Sequence, residues 1–194
     1  MRRAFAVAEQ EVNVYLAHVA ALFVPGVRVR SLPVHPGKVG TLSEWSEAEL
    51  VLLVEEGRRQ LDRQRADLDR VQARSQLLFT TAAALLVVLT AEFETMASRG
   101  GMVFMAWYLG LALVALGLLG SAALMSIRSD FAMVDTARLS QQSPPVLEKL
   151  ARSYAQVVEV GENTVATRLT VFRDAVWLIV VGAALQGGVW FITR

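Results

Sequence analysis

The chain has 194 residues, 19 basic and 18 acidic, for a net charge of +1, so no charge excess marks it for nucleic acid. It has no cysteine, which excludes disulfides, cysteine-based zinc sites and thiol catalysis. Hydrophobic residues make up 54% of it, yet charges are absent from three long stretches and dense elsewhere, the pattern of an integral membrane protein.

Arg2 and Arg3 open the chain like a signal-peptide n-region, but Glu9, Glu11 and Asn13 interrupt the apolar run that a cleavable signal needs. The segment from Phe5 to Val24 is apolar on average and ends at Pro25. A charge at mid-bilayer costs about 2.5–3.5 kcal/mol, so two glutamates disfavour a span, and an interfacial or bundle-packed amphipathic helix is predicted, with a fourth span as the alternative. Residues 26–42, rich in Gly, Pro and Val, read as a loop, which makes 1–45 an N-terminal helix and linker. His18 and His35 are isolated, without metal-ligand spacing, and read as packing or loop residues.

Ser46-x-x-Glu49 then matches a capping box ahead of an apolar run. No proline follows until well past the first uncharged stretch, so one helix is predicted from Ser46 through the membrane. Its first part carries a seam of Leu50, Val54, Gly57, Leu61, Gln64, Leu68, Val71 and Ser75, a heptad period. The remaining surface, with Arg59, Asp62, Arg63, Arg65, Asp67, Asp69 and Arg70, reads as a solvated face.

The uncharged stretches run over 17 residues between Arg74 and Glu92, 28 between Arg99 and Arg128, and 19 between Asp174 and Arg194. A helix needs about 20 apolar residues to cross a bilayer, so spans are predicted at about 75–92, 102–127 and 175–193. Trp107, Tyr108, Trp177 and Trp190 suit interfacial anchoring. The 92–101 connection, with Glu92 and Glu94, is a short hairpin. Pro144 and Pro145 separate a helix at about 128–141 from one at about 146–174, whose apolar positions Leu147, Leu150, Tyr154, Val157, Gly161, Val165 and Leu169 lead into the third span. The predicted fold is all-α, with three transmembrane helices in a membrane domain over 46–194. At least two of them continue into a cytoplasmic helical bundle.

Orientation follows from the basic residues. Seventeen of the 19 fall before the first span or between the second and third, regions on one side of the membrane; only Arg99 and Arg194 lie opposite. This predicts a multi-pass plasma-membrane (bacterial inner-membrane) protein, N-terminus cytoplasmic and C-terminus outside.

The spans hold no Asp, Glu, Lys, Arg or His, which argues against proton- or ion-coupled transport. Thr80, Thr81 and Gln186 are the candidate polar span residues. Small-xxx-small patterns at Gly117/Ser121, Ala183/Gly187 and Ala184/Gly188, with Gly110 in the same glycine-rich span, mark candidate helix-packing or oligomer contacts. No nucleophile elbow, Walker motif, dinucleotide fingerprint or zincin motif is present, so no enzyme, cofactor or metal is predicted.

Two stretches carry a resemblance. Gln60-Leu-Asp-Arg-Gln-Arg-Ala-Asp-Leu-Asp-Arg-Val-Gln-Ala-Arg-Ser75 is a charged helix entering a membrane hairpin. Leu150-Ala-Arg-Ser-Tyr-Ala-Gln-Val-Val-Glu-Val-Gly-Glu-Asn163 leads through Thr164–Asp174 into another span. Together, over residues 46–194, they resemble the small bacterial membrane effectors of anti-phage signalling, the Pycsar transmembrane effectors and SLATT proteins. The resemblance implies a cytoplasmic helical sensor coupled to membrane disruption or ion leakage. Together with the long helices that run into the spans, it leads to the expectation of a homo-oligomer in the lipid bilayer whose cytoplasmic bundle receives a nucleotide second messenger or a partner protein. The alternative is a non-conducting scaffold that docks a cytoplasmic partner.

Overall fold

The computed structural model describes residues 2–24, 41–127 and 145–193. The predicted helix at 128–141, the loop residues 25–40 with His35, and Pro144 lie outside the described residues. Helix accounts for 93% of those described, and no strand occurs among them. Among the described residues five helices follow in chain order: α1 (Arg2–Phe23), α2 (Glu47–Ala91), α3 (Phe93–Arg99), α4 (Gly101–Ser126) and α5 (Val146–Thr193). Of these, α2, α4 and α5 are long and apolar enough to cross a membrane, so the chain is a multi-pass helical membrane protein.

The predicted start of α2 forms as a capping box. The Ser46 backbone N–H and hydroxyl both donate to the Glu49 carboxylate at 2.7 Å, and the Ser46 hydroxyl accepts the Glu49 N–H at 3.4 Å. These bonds hold the Glu49 carboxyl below its usual range. The hairpin after α2 contains α3, a helix of seven residues that sequence patterning did not reveal. Its Met96 is buried with Trp107 and Val189, which rewards helix over an open turn. Gly100 and Gly101, both at φ 60°, then reverse the chain, a conformation that L side chains resist.

The contacts divide the chain into two units. The charged unit comprises Ser31–Arg70 and Ser129–Thr167. Here every predicted seam position of α2 is buried: Leu50, Val54, Gly57, Leu61, Gln64 and Leu68. Leu42, Leu50, Val54 and Ala151 form its core, with Leu147, Leu150 and Tyr154 against it. Burying a Leu side chain contributes about 1.5–3 kcal/mol, so each leucine of this row adds appreciably to its stability. The partner row on α5 departs from expectation. Ala151, Val158 and Gly161 are buried, whereas Val157 is half-buried. Large side chains meet glycines reciprocally, Tyr154 lying over Gly57 and Gln64 over Gly161. One heptad separates the pairs on both helices, and this fixes their register. Gln64 donates to the Val158 carbonyl at 3.0 Å, while its Oε1 faces the Gly161 backbone without a hydrogen-bond donor. Ion pairs such as Arg70–Asp67 (2.9 Å) and Arg152–Glu148 (3.1 Å) decorate the exposed faces and contribute a few tenths of a kcal/mol at most.

The apolar unit comprises Met1–Arg30, Val71–Arg128 and Arg168–Arg194. Ala82, Val114 and Ile179 form its central layer, joined by Leu78, Leu85, Leu86, Leu89 and Leu118. Val71 and Ser75, the last seam positions, are buried here. Leu169, expected on the packed row of α5, is 45% exposed, and Arg168 takes the inward place. α1 packs on α4, the bundle-packed alternative for that segment.

Candidate functional site

Polar side chains join helices of the apolar unit at two levels. At one, Gln186 on α5 is buried and donates to the Trp107 carbonyl of α4 at 2.6 Å. Close backbone approach makes this bond possible. A Cβ on Gly110 would sit 2.6 Å from the Gln186 amide nitrogen, and one on Gly182 would meet the Gly110 carbonyl at 2.8 Å. Gly117 lies against the Ala175 carbonyl and Ile179 in the same way. In lipid, tight packing and interhelical hydrogen bonds supply what the hydrophobic effect cannot. Trp107 continues into an aromatic cluster, stacked on Phe104 at 5.9 Å and edge-on to Phe93 at 5.7 Å.

At the other level α1 meets α4 and α5. The Tyr15 hydroxyl donates to the Leu116 carbonyl at 2.7 Å, and its ring lies over Gly120 where a side chain would stand. Burial and the nearby Asp174 carboxylate push the Tyr15 phenol up, so it stays a donor. Glu11 pairs with Arg173 at 2.9 Å, and Arg173 also holds Asp174 at 3.0 Å. Arg168 is 8% exposed and donates to the carbonyls of Leu124 and Ile127, capping the C-terminal end of α4 where the helix dipole is negative. His18, also buried, bonds through Nδ1 to the Val14 carbonyl at 2.9 Å. Burial, with a smaller repulsion from Arg168, holds its imidazole below its usual 6.5.

Of the predicted contact residues, Gly110, Gly117 and Ser121 are buried inside the chain. Ser121 donates to its own helix at Leu118. Ala183 and Gly187 do not join them. The packed face of α5 runs through Ala175, Ile179, Gly182, Gln186 and Val189. Ala183 is half-buried, and Gly187 is exposed with nothing within 4 Å of a Cβ. The small-xxx-small register on α5 is therefore one residue off for packing within the chain. Of the polar span residues, only Gln186 bonds to another helix. Thr80 and Thr81 are exposed and return their hydroxyls to the Leu77 carbonyl at 2.9 Å. Tyr15, Gly120, Gly182, Arg168 and the Glu11–Arg173 pair were not singled out from sequence. A usable signal was the four-residue spacing of Gly182 and Gln186, which continues the heptad phase of Ala175 and Ile179.

Among the described residues no group of three or more His, Asp or Glu side chains is gathered as metal ligands would be. No family model matches the chain, and neither a curated protein nor a solved structure shows significant similarity to it.

Proposed function

We propose that the protein is an oligomeric bacterial inner-membrane effector, not an enzyme, that couples a signal received by its charged unit to ion leakage through the membrane. The observation that carries this reading is the construction of α2 and α5. Each is a single helix with a charged heptad stretch at one end and an apolar span at the other. On this reading the continuous helix is the element that would couple a signal at its polar end to the span. The distribution of basic residues supports a cytoplasmic charged unit and an external C-terminus. The loose likeness to anti-phage membrane effectors points to a nucleotide second messenger or a partner protein as the signal. Induced expression with a membrane-potential dye tests the proposal: activation depolarises cells, and intact potential with the protein at the membrane refutes it.

A second reading, a non-conducting scaffold, is favoured by exposed apolar side chains on the charged unit, Trp45 at 44% and Leu52 at 64%. A stoichiometric cytoplasmic partner together with zero conductance in reconstituted bilayers would select it.

A further inference from the structure

The seam between α2 and α5 in the charged unit contains a layer that is costly to keep shut. Leu50, Val54, Leu61 and Leu68 bury apolar side chains along α2. Among them stand Gly57 and Gln64, which meet Tyr154 and Gly161 of α5. Both glycines lie inside long helices, where glycine loses more backbone freedom than alanine and brings no side chain to bury. Neither accepts a larger residue without movement. A Cβ on Gly57 would stand 3.1 Å from the Tyr154 Cβ, and one on Gly161 would overlap the Gln64 Oε1.

Gln64 adds a polar cost. It is buried, and its amide nitrogen donates to the Val158 carbonyl at 3.0 Å. That bond fixes the orientation of the amide, because a carbonyl can only accept. The Oε1 atom is thereby turned to Gly161. Among the described residues it is the one buried side-chain nitrogen or oxygen without a hydrogen-bond partner. What faces it is the backbone of Gly161, whose Cα–H is at most a weak donor. Water would satisfy this oxygen, so parting the helices at this layer recovers some of what their closure costs. A leucine at 64 would recover nothing and would add exposed apolar surface to the parted state.

We propose that the Gln64–Gly161 layer is an opening joint of the charged unit, at which α2 and α5 part more readily than an apolar seam allows. The side chain responsible is Gln64, which here makes the seam separable instead of tight. The joint lies within the charged unit, and it does not depend on whether the protein conducts.

Hydrogen exchange of the full-length protein in detergent reads the joint directly. Gln64→Leu should raise the unfolding midpoint and slow exchange of the amides of 57–68 and 154–165 about fivefold or more. Gln64→Met, unbranched and close to glutamine in length, covers the case in which the branched leucine does not fit. Gln156→Leu makes the same change at an exposed site of α5 and should slow nothing. Slowing by either Gln64 variant, absent from Gln156→Leu, supports the joint. Exchange unchanged or faster in both Gln64 variants would overturn it, because the amide then holds the seam closed. Equal slowing by Gln156→Leu would also overturn it, by tracing the effect to added hydrophobicity anywhere on the unit.

Discussion

Glycine at 110, 182, 120 and 187 does different work at each place, and the neighbours of a hypothetical Cβ show why. Gly182→Ala forces a methyl to 2.8 Å from the Gly110 carbonyl, a backbone atom that cannot swing aside. Overpacking of this kind costs about 1–3 kcal/mol. Gly110→Ala displaces the Gln186 amide instead and leaves polar groups unpaired in an apolar interior, at a similar cost of about 1–3 kcal/mol. Gly187→Ala meets nothing and should stay within about 0.5 kcal/mol of the natural protein. Thermal unfolding in detergent ranks the three, and a Gly187→Ala loss as large as that of Gly182→Ala would contradict the packing described. His18 makes a pH prediction. Its imidazole is held below 6.5 by burial and by Arg168, so the folded state prefers it neutral. The unfolded chain binds the proton more readily, so stability is level above the unfolded value and falls as pH drops below about 6.5. His18→Asn should flatten that part of a melting-temperature profile. An unchanged slope would assign the effect to other groups.

At the scale of elements, α2 and α5 show how far local patterning reaches. The eight seam positions on α2 are all buried, because one face of the helix was apolar or small and the other charged. The capping box at its start is equally local, and Ser46→Ala should cost the charged unit about 1 kcal/mol, read as a lower unfolding midpoint. The row on α5 was harder to read. The spacing predicts Leu169 as the next inward residue, but Arg168 occupies that side because its guanidinium finds the free carbonyls at the end of α4. Arg168→Leu keeps the apolar stem and removes the donors. Buried carbonyls without donors cost about 1–3 kcal/mol each, so the variant should expose the end of α4 to faster hydrogen exchange than Arg173→Leu does. α3 went unread for a similar reason, since its helix depends on Met96 reaching Trp107 and Val189.

For the whole molecule, membrane embedding and sidedness are separable claims. Reporter fusions check the second: a fluorescent protein at the N-terminus and a periplasm-activated phosphatase after Arg194 should both be active, and the reversed pattern would invert the topology argued from seventeen basic residues against two. Native mass of the detergent-solubilised protein addresses assembly. The proposed conducting effector predicts a closed oligomer, because three uncharged spans from one chain offer too little polar surface to line a water path.

Helix class, the three spans and the heptad face of α2 were determined by the sequence alone. Each depends only on contrast between charged and apolar residues along one helix, and that contrast is strong wherever water borders the chain. The tertiary structure decided which side of α5 packs, that Gly182 and Gln186 rather than Ala183 and Gly187 meet α4, and that Tyr15, Glu11 and His18 turn inward. Inside lipid the packed and lipid-facing sides of a helix are equally apolar. Hydrophobicity then carries no direction, and only the shape of the neighbouring helix, with a missing Cβ here and an open carbonyl there, sets which side faces in.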